Sequence, residues 1–177
     1  MLLLNLRRSV IVSAVFFVLL GLAYPLAETG IGQALFNHQA NGSLEANGSA
    51  LIGQHWDGPQ WFQGRPDGFD PAATGGSNLG PRSAKLVQTY QQRIADLRKQ
   101  GIEPTPDLIA ASGSGVDPHI SPAAAYAQVN AVAAARHLDP ARVHDLVATH
   151  VQGPQFGFLG AAHVNVAELN EALSALE

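Results

Sequence analysis

Residues 112–122 read SGSGVDPHISP, which packs three serines, two glycines, two prolines, an aspartate and a histidine into eleven positions. The right-hand half is helix-start grammar. Ser121 is a preferred N-cap, and Pro122 suits the first helical position, where its missing N–H is not needed. Asp117-Pro118 predicts a turn in which the aspartate carboxylate accepts a bond from the backbone two residues on. In the left half, Ser112, Gly113, Ser114 and Gly115 form a glycine-rich run whose N–H groups can converge into a nest for an anion. It is not a P-loop, because no lysine follows its last glycine and neither GKS nor GKT occurs in the chain. A hydrolase reading makes Ser112 or Ser114 the nucleophile. The G-x-S-x-G elbow is absent, however, and Asp117 stands too near His119 for both to orient as a usual triad. His119 reads as a structural histidine that fixes the turn.

Working outward, a helix from Pro122 is predicted to bury Ala125, Val129, Val132, Ala135 and Leu138. Another is announced by Asp139-Pro140, with Val143, Leu146, Val147 and His150 on one face. The last begins at Asn165, whose side chain caps the first turn while Glu168 returns the bond, and it buries Leu169, Leu173 and Leu176. Upstream, Leu86, Tyr90, Ile94 and Leu97 recur at helical spacing. Arg93, Arg98 and Lys99 lie toward the C-terminal end, and Gly101 is the stop. The stretch GGSNLGP, 75–81, has the same style as SGSG. Gly75 and Gly76 permit unusual dihedrals, and Ser77 or Asn78 can satisfy loose backbone groups.

Residues 37–80 carry no sustained helical period. Ala50-Leu51-Ile52 and Gln60-Trp61-Phe62 read as short strands separated by a turn at Asp57-Gly58-Pro59. Asn41-Gly42-Ser43 and Asn47-Gly48-Ser49 read as turns before they read as glycosylation acceptors. Strands and helices do not alternate as strand-helix-strand units, so the class is α+β.

From Ser9 to Ala27 the chain holds no charge, and a helix of that length spans about 28 Å, near the thickness of a bilayer's hydrocarbon core. Arg7 and Arg8 precede it and Glu28 follows. The positive-inside bias therefore predicts a cytoplasmic N-terminus at 1–8, a membrane helix at 9–27 and an extracytoplasmic α+β domain at 28–177. A cleaved signal peptide is the rival, with Gly21-Leu22-Ala23 as its small-x-small site, and it too places the remainder outside the cytoplasm.

Composition narrows the chemistry. The absence of cysteine excludes disulfides, thiol catalysis, thiolate metal sites and a lipoprotein anchor. The seven histidines show no H-x-x-x-H or H-E-x-x-H spacing, so no metal site is expected. From Glu28 on there are 8 basic and 14 acidic residues, a balance that argues against nucleic acid as a partner.

Taken in order, the segments Gln39-Ala40-Asn41-Gly42-Ser43-Leu44, Gly48-Ser49-Ala50-Leu51-Ile52-Gly53-Gln54, Phe62-x-x-Arg65-Pro66, Gly75-Gly76-Ser77-Asn78-Leu79, SGSGVDPHISPAAA, Gly157-Phe158-Leu159-Gly160 and Val164-Asn165-Val166-x-x-Leu169-Asn170, all behind an N-terminal apolar helix, resemble the C subunit of the bacterial Kdp potassium-transporting ATPase. The likeness runs the whole chain. Two departures are the short Glu45–Asn47 connection, which predicts a truncated first hairpin, and Val116 where leucine is common. The resemblance implies a non-catalytic subunit in the inner membrane. Its implied partners are a channel-like potassium-binding A subunit, a P-type ATPase B subunit and a small F subunit. Potassium would be the transported ion, and association with ATP is implied by the family's description as a catalytic chaperone, with no intrinsic cofactor. That description conflicts with a body lying across the bilayer from nucleotide.

Two other readings stand beside it: an exported serine hydrolase using Ser112 or Ser114, and an exported module gripping a cation or sugar through Trp56, Trp61, Asp57 and Asp70. No catalytic residue is expected. The candidate functional loops are Ser112, Gly113, Ser114, Gly115, Asp117 and His119 together with Gly75, Gly76, Ser77 and Asn78. Arg65 joins them as a guanidinium able to hold a carboxylate with two bonds.

Overall fold

In a computed structural model describing residues 1–176, the apolar N-terminus is one helix from Leu2 to Leu35. It comprises α1 (Leu2–Val18), a wider π-type stretch (Leu19–Ala23) and α2 (Tyr24–Leu35). The charge-free run lies inside it, and Pro25 does not break it. The π-type stretch immediately before the proline loosens the hydrogen-bond ladder where the ring would otherwise meet a carbonyl one turn back. At 34 residues and about 1.5 Å per residue the helix is longer than a bilayer core is thick. None of its residues is buried, so it is long and apolar enough to cross a membrane and has no protein core around it. Phe36 leaves helical geometry, and a short helix α3 (Asn37–Ala40) follows. Around that corner the Gln33 amide accepts from Asn37 Nδ2 at 2.9 Å and from Asn41 Nδ2 at 3.2 Å.

The body is mixed helix and strand. Two-residue strands β1 (Leu44–Glu45) and β2 (Gly48–Ser49) make the first hairpin around Ala46-Asn47, the short connection expected from the sequence. The strands expected at 50–52 and 60–62 do not form. Residues 50–52 and 60–61 turn and bend instead, and side chains rather than a neighbouring strand hold the backbone of Ala50, Phe62 and Gln63. Phe62 donates its N–H to Asn170 Oδ1 and accepts from Asn170 Nδ2, both at 2.9 Å. The next residue, Gln63, does the same with Gln128, donating at 2.8 Å and accepting at 3.1 Å. Two primary amides, each with one donor end and one acceptor end, thus replace a strand partner. Asn165 Nδ2 similarly holds the Ala50 carbonyl at 2.8 Å.

The helices follow their sequence signals. Ser83 caps α4 (Ala84–Lys99), and Gly101 ends it at φ +73°, the left-handed turn that favours glycine. After the one-turn α5 (Pro106–Ile109) and strand β3 (His119–Ile120), Ser121 caps α6 (Pro122–Arg136) by accepting from Ala124 N–H. Asp139 caps α7 (Pro140–His150) in the same way. Strand β4 (Val164–Asn165) pairs antiparallel with β3, His119 opposite Asn165 and Ile120 opposite Val164. It leads directly into α8 (Val166–Ser174), where Asn165 accepts from the N–H groups of Ala167 and Glu168. Glu168 does not return that bond; its carboxylate accepts from the Gln152 amide at 3.3 Å instead.

The core gathers Phe62, Ile120, Val132, Val143, Val147, Val164, Leu169 and Leu173, all essentially inaccessible to water. On α6 the buried face is Ala124, Ala125, Gln128, Val129, Val132 and Ala133, while Ala135 is exposed. Ala125, Val129 and Val132 of the expected stripe are buried and Leu138 packs against the core; only Ala135 misses it, and the buried face widens instead to Ala124, Gln128 and Ala133. Helix α4 buries nothing completely.

Candidate functional site

The sequence-predicted residues converge on one side of the body. Arg65, reached just after the Phe62-Gln63 segment, places Nη2 2.7 Å from Asp107 Oδ1 and Nε 3.0 Å from Asp117 Oδ2. The Nε contact is an ion pair whose N–H is not aligned on the carboxylate oxygen. Asp107's other oxygen accepts from Ser121 N–H at 2.9 Å, and Asp117 Oδ1 accepts from His119 N–H at 3.0 Å, the expected two-residue turn. One guanidinium thus ties together the turn before α6, the short helix α5 and the 63–67 segment.

The glycine-serine loop does cradle an anion, and that anion is the protein's own. Asp67 Oδ1 accepts from Ser112 N–H at 2.7 Å, while Oδ2 accepts from the Ser112 hydroxyl at 2.5 Å and from Asp117 N–H at 3.2 Å. Ser112 Oγ in turn accepts from Gly115 N–H at 2.8 Å. The space a phosphate would need is filled by a carboxylate supplied from 45 residues upstream. Ser112 donates its proton to that carboxylate, so no histidine is poised as its base, and Ser114 is spent on Ser112 and on Val116 N–H. This is a tie between segments and not the nucleophile–base pair that acyl transfer requires.

The second glycine loop packs on the first, backbone to backbone. Gly75 donates to the Ser114 carbonyl at 2.6 Å, and a Cβ on Gly115 would stand 2.7 Å from the Gly75 carbonyl oxygen. Gly115 also sits at φ +73°, so both space and dihedral call for glycine there. Gly76 lies against Gly113. Phe69 and Gly53 donate to the carbonyls of Gly115 and Val116, completing the enclosure. Ser77 and Asn78 stay outside this knot. Ser77 Oγ accepts from Leu79 N–H, and Asn78 takes a left-handed turn at φ +53°.

His119 sits at the rim, its ring 4.5 Å from that of His163 in an edge-on contact and its Nδ1 3.7 Å from Asp117. Burial first, and His163's charge second, hold its pKa below the ordinary histidine value, while Asp117 and Glu168 pull weakly the other way. The residues proposed for a cation or sugar do not assemble as a set. Trp56 and Trp61 pack at 5.0 Å, and Arg136 covers Trp61 at 4.3 Å. Asp57 pairs with His55 at the surface, and Asp70 caps its own turn at Ala72. Among the described residues no cluster of three or more His, Asp or Glu side chains could hold a metal. Asp67, Asp107 and Gln128 escaped sequence reasoning, and Asn170 entered it only within a family segment, with no role. Nothing local marks these roles, since the segments they tie lie 14 to 108 residues away.

Comparison with known proteins supplies what the geometry does not. Residues 6–175 match the family model described as KdpC: K+-transporting ATPase, c chain. The chain belongs to the KdpC family. A protein of Nitratidesulfovibrio vulgaris named potassium-transporting ATPase KdpC subunit is 47% identical over 184 residues, covering 96% of this chain and 93% of that protein. Proteins of the same name from Burkholderia orbicola and Sorangium cellulosum are 49% and 46% identical, each covering 96% or more of both chains. The family resemblance carried by the loop segments is therefore established along nearly the entire chain. The knot of Arg65, Asp67, Asp107, Ser112 and Asp117 is a structural feature of a KdpC-family body.

Proposed function

We propose that this chain is an accessory subunit of a high-affinity, ATP-driven potassium uptake pump, anchored by the Leu2–Leu35 helix and carrying its folded body on the extracytoplasmic side. The match to the KdpC family over residues 6–175 carries the reading. Relatives of nearly the same length bear the name of a potassium-transporting ATPase subunit. Arg7 and Arg8 ahead of the uncharged run support the orientation. The companions are a channel-like potassium-binding subunit, a P-type ATPase subunit and a small single-helix subunit, and the body stabilises their assembly. Any promotion of ATP binding by the ATPase subunit is transmitted through the complex, because a body across the bilayer does not meet nucleotide.

A surface feature favours docking. The loop 153–160 points Phe156 and Phe158 at solvent, 80% and 76% exposed, with Leu159 beside them. No charged residue occurs between Asp145 and Glu168. Such a patch fits an apolar surface of a membrane-embedded companion. Two experiments test the reading. Tagged chain purified from membranes should bring the large pump subunits with it, identified by mass; chain that purifies alone overturns it. Protease added to intact right-side-out spheroplasts should degrade the body; a body cut only after permeabilisation overturns the orientation.

A further inference from the structure

A cavity of about 300 Å³ lies over the first half of α4, apart from the loop knot and from the Phe156 loop. Lys85, Thr89 and Arg93 contribute to its lining at positions i, i+4 and i+8, a spacing that puts all three on one helix face. Ser77 enters from the glycine loop, and Leu79, Leu86 and the Tyr90 ring supply an apolar wall.

Its electrostatics run against those of the chain. The net charge is −4, yet between Asp70 and Asp96 there is no carboxylate at all, while Arg82, Lys85 and Arg93 fall in that interval. Arg93 is half-buried, and among the described residues it answers only to carbonyls, Ile109 at 2.7 Å and Pro66 at 3.3 Å. Those contacts orient the guanidinium without neutralising it, and each terminal nitrogen keeps a second proton. Among the described residues, Lys85 has no carboxylate partner and the Tyr90 hydroxyl has no hydrogen-bond partner. Ser77 Oγ accepts from Leu79 N–H, which leaves its proton to donate. Thr89 is already committed to the Lys85 carbonyl at 2.9 Å. The cavity therefore offers an ammonium, a guanidinium and two hydroxyl protons, with no acidic side chain to receive them. A flat carboxylate presents two oxygens in one plane. Donors arriving from both a helix face and an opposing loop match a tetrahedral oxyanion better.

We infer that this cavity is an oxyanion site that takes a phosphate or phosphodiester group, with Lys85 and Arg93 supplying the charge and Tyr90 and Ser77 the directional bonds. The group can come from free inorganic phosphate or from the headgroup of an anionic phospholipid, in which case the Leu79–Leu86–Tyr90 wall receives part of the glycerol and acyl portion. The two sources predict different measurements on the full-length chain in detergent micelles. Calorimetric titration with inorganic phosphate gives saturable heat for the free anion. Native mass spectrometry with phosphatidylglycerol against phosphatidylcholine gives selective retention of the anionic lipid for the headgroup.

In either case Lys85→Ala should weaken binding at least about tenfold, Tyr90→Phe should weaken it less, and Lys85→Arg should restore most of it. Lys85 is exposed, so an unchanged circular dichroism melt separates lost binding from lost fold. Phosphate heat that is flat together with equal retention of the two lipids overturns the inference. So does binding that Lys85→Ala leaves unchanged.

Discussion

Two glycine-rich loops of this body, 112–119 and 153–160, do opposite things. The 112–119 loop is turned inward. Asp67 fills its cradle, Arg65 holds its aspartate, and Gly53, Phe69 and Gly75 donate their N–H groups to its carbonyl oxygens. The 153–160 loop, among the described residues, bonds only to itself, through Gln155 with Leu159 and Gly157 with Pro154, and it shows its aromatic rings to solvent. Glycine permits both outcomes. What decides between them is whether another segment brings charge and hydrogen-bonding groups to the loop. A loop whose polar groups are all answered from within the chain has none left for a ligand. A loop that answers its own backbone can leave a large apolar surface for a partner.

Matched substitutions at the two loops should expose this difference, most strongly at the glycines. Gly115→Ala drives a methyl group to 2.7 Å from a backbone oxygen at a left-handed φ and should cost about 3 kcal/mol or more in chemical denaturation. Gly157→Ala, also left-handed at φ +81° but with open space around it, should cost about 1 kcal/mol. Equal costs would break the contrast.

Asp67→Asn comes next. Replacing an acceptor-only carboxylate by an amide turns an N–H toward donors already in place, and stability should fall by about 2 kcal/mol. On the other loop, Phe156→Ser with Phe158→Ser should leave stability within about 0.5 kcal/mol while reducing the companion subunits recovered with the chain at least about fivefold. Unchanged recovery would remove the loop from the docking surface.

The smallest effect is a pH dependence. Burial and His163 lower the folded-state pKa of His119 below 6.5. The unfolded chain therefore binds the proton more readily, and the neutral ring's contribution is complete above 6.5 and lost as pH falls toward the folded value. His119→Gln should flatten that shallow acid-side slope in thermal melts taken below pH 6.5. An unaltered slope would show that another group carries it.

Where a single side chain serves a neighbour within a turn, the sequence was legible. Ser121 and Asn165 were readable as caps, Asp117 as a turn and Gly101 as a stop, because each depends on residues two to four positions away. The strands expected at 50–52 and 60–62 failed because short half-apolar segments look alike whether they pair as strands or turn and are pinned by a side-chain amide. The amides of Asn170 and Gln128 lie 108 and 65 residues from the backbone they pair. The loop knot was legible as a place but not as a mechanism. The glycines and serines announced an anion nest, and only the fold brought Asp67 to occupy it.

This body works through held surfaces and not through a reactive group. Potassium-stimulated ATP hydrolysis by the purified complex, assembled with the Ser114→Ala chain and normalised to subunit content, tests it most directly. Activity equal to that of the unaltered complex is expected. Hydrolysis abolished in a complex of full subunit content would contradict it.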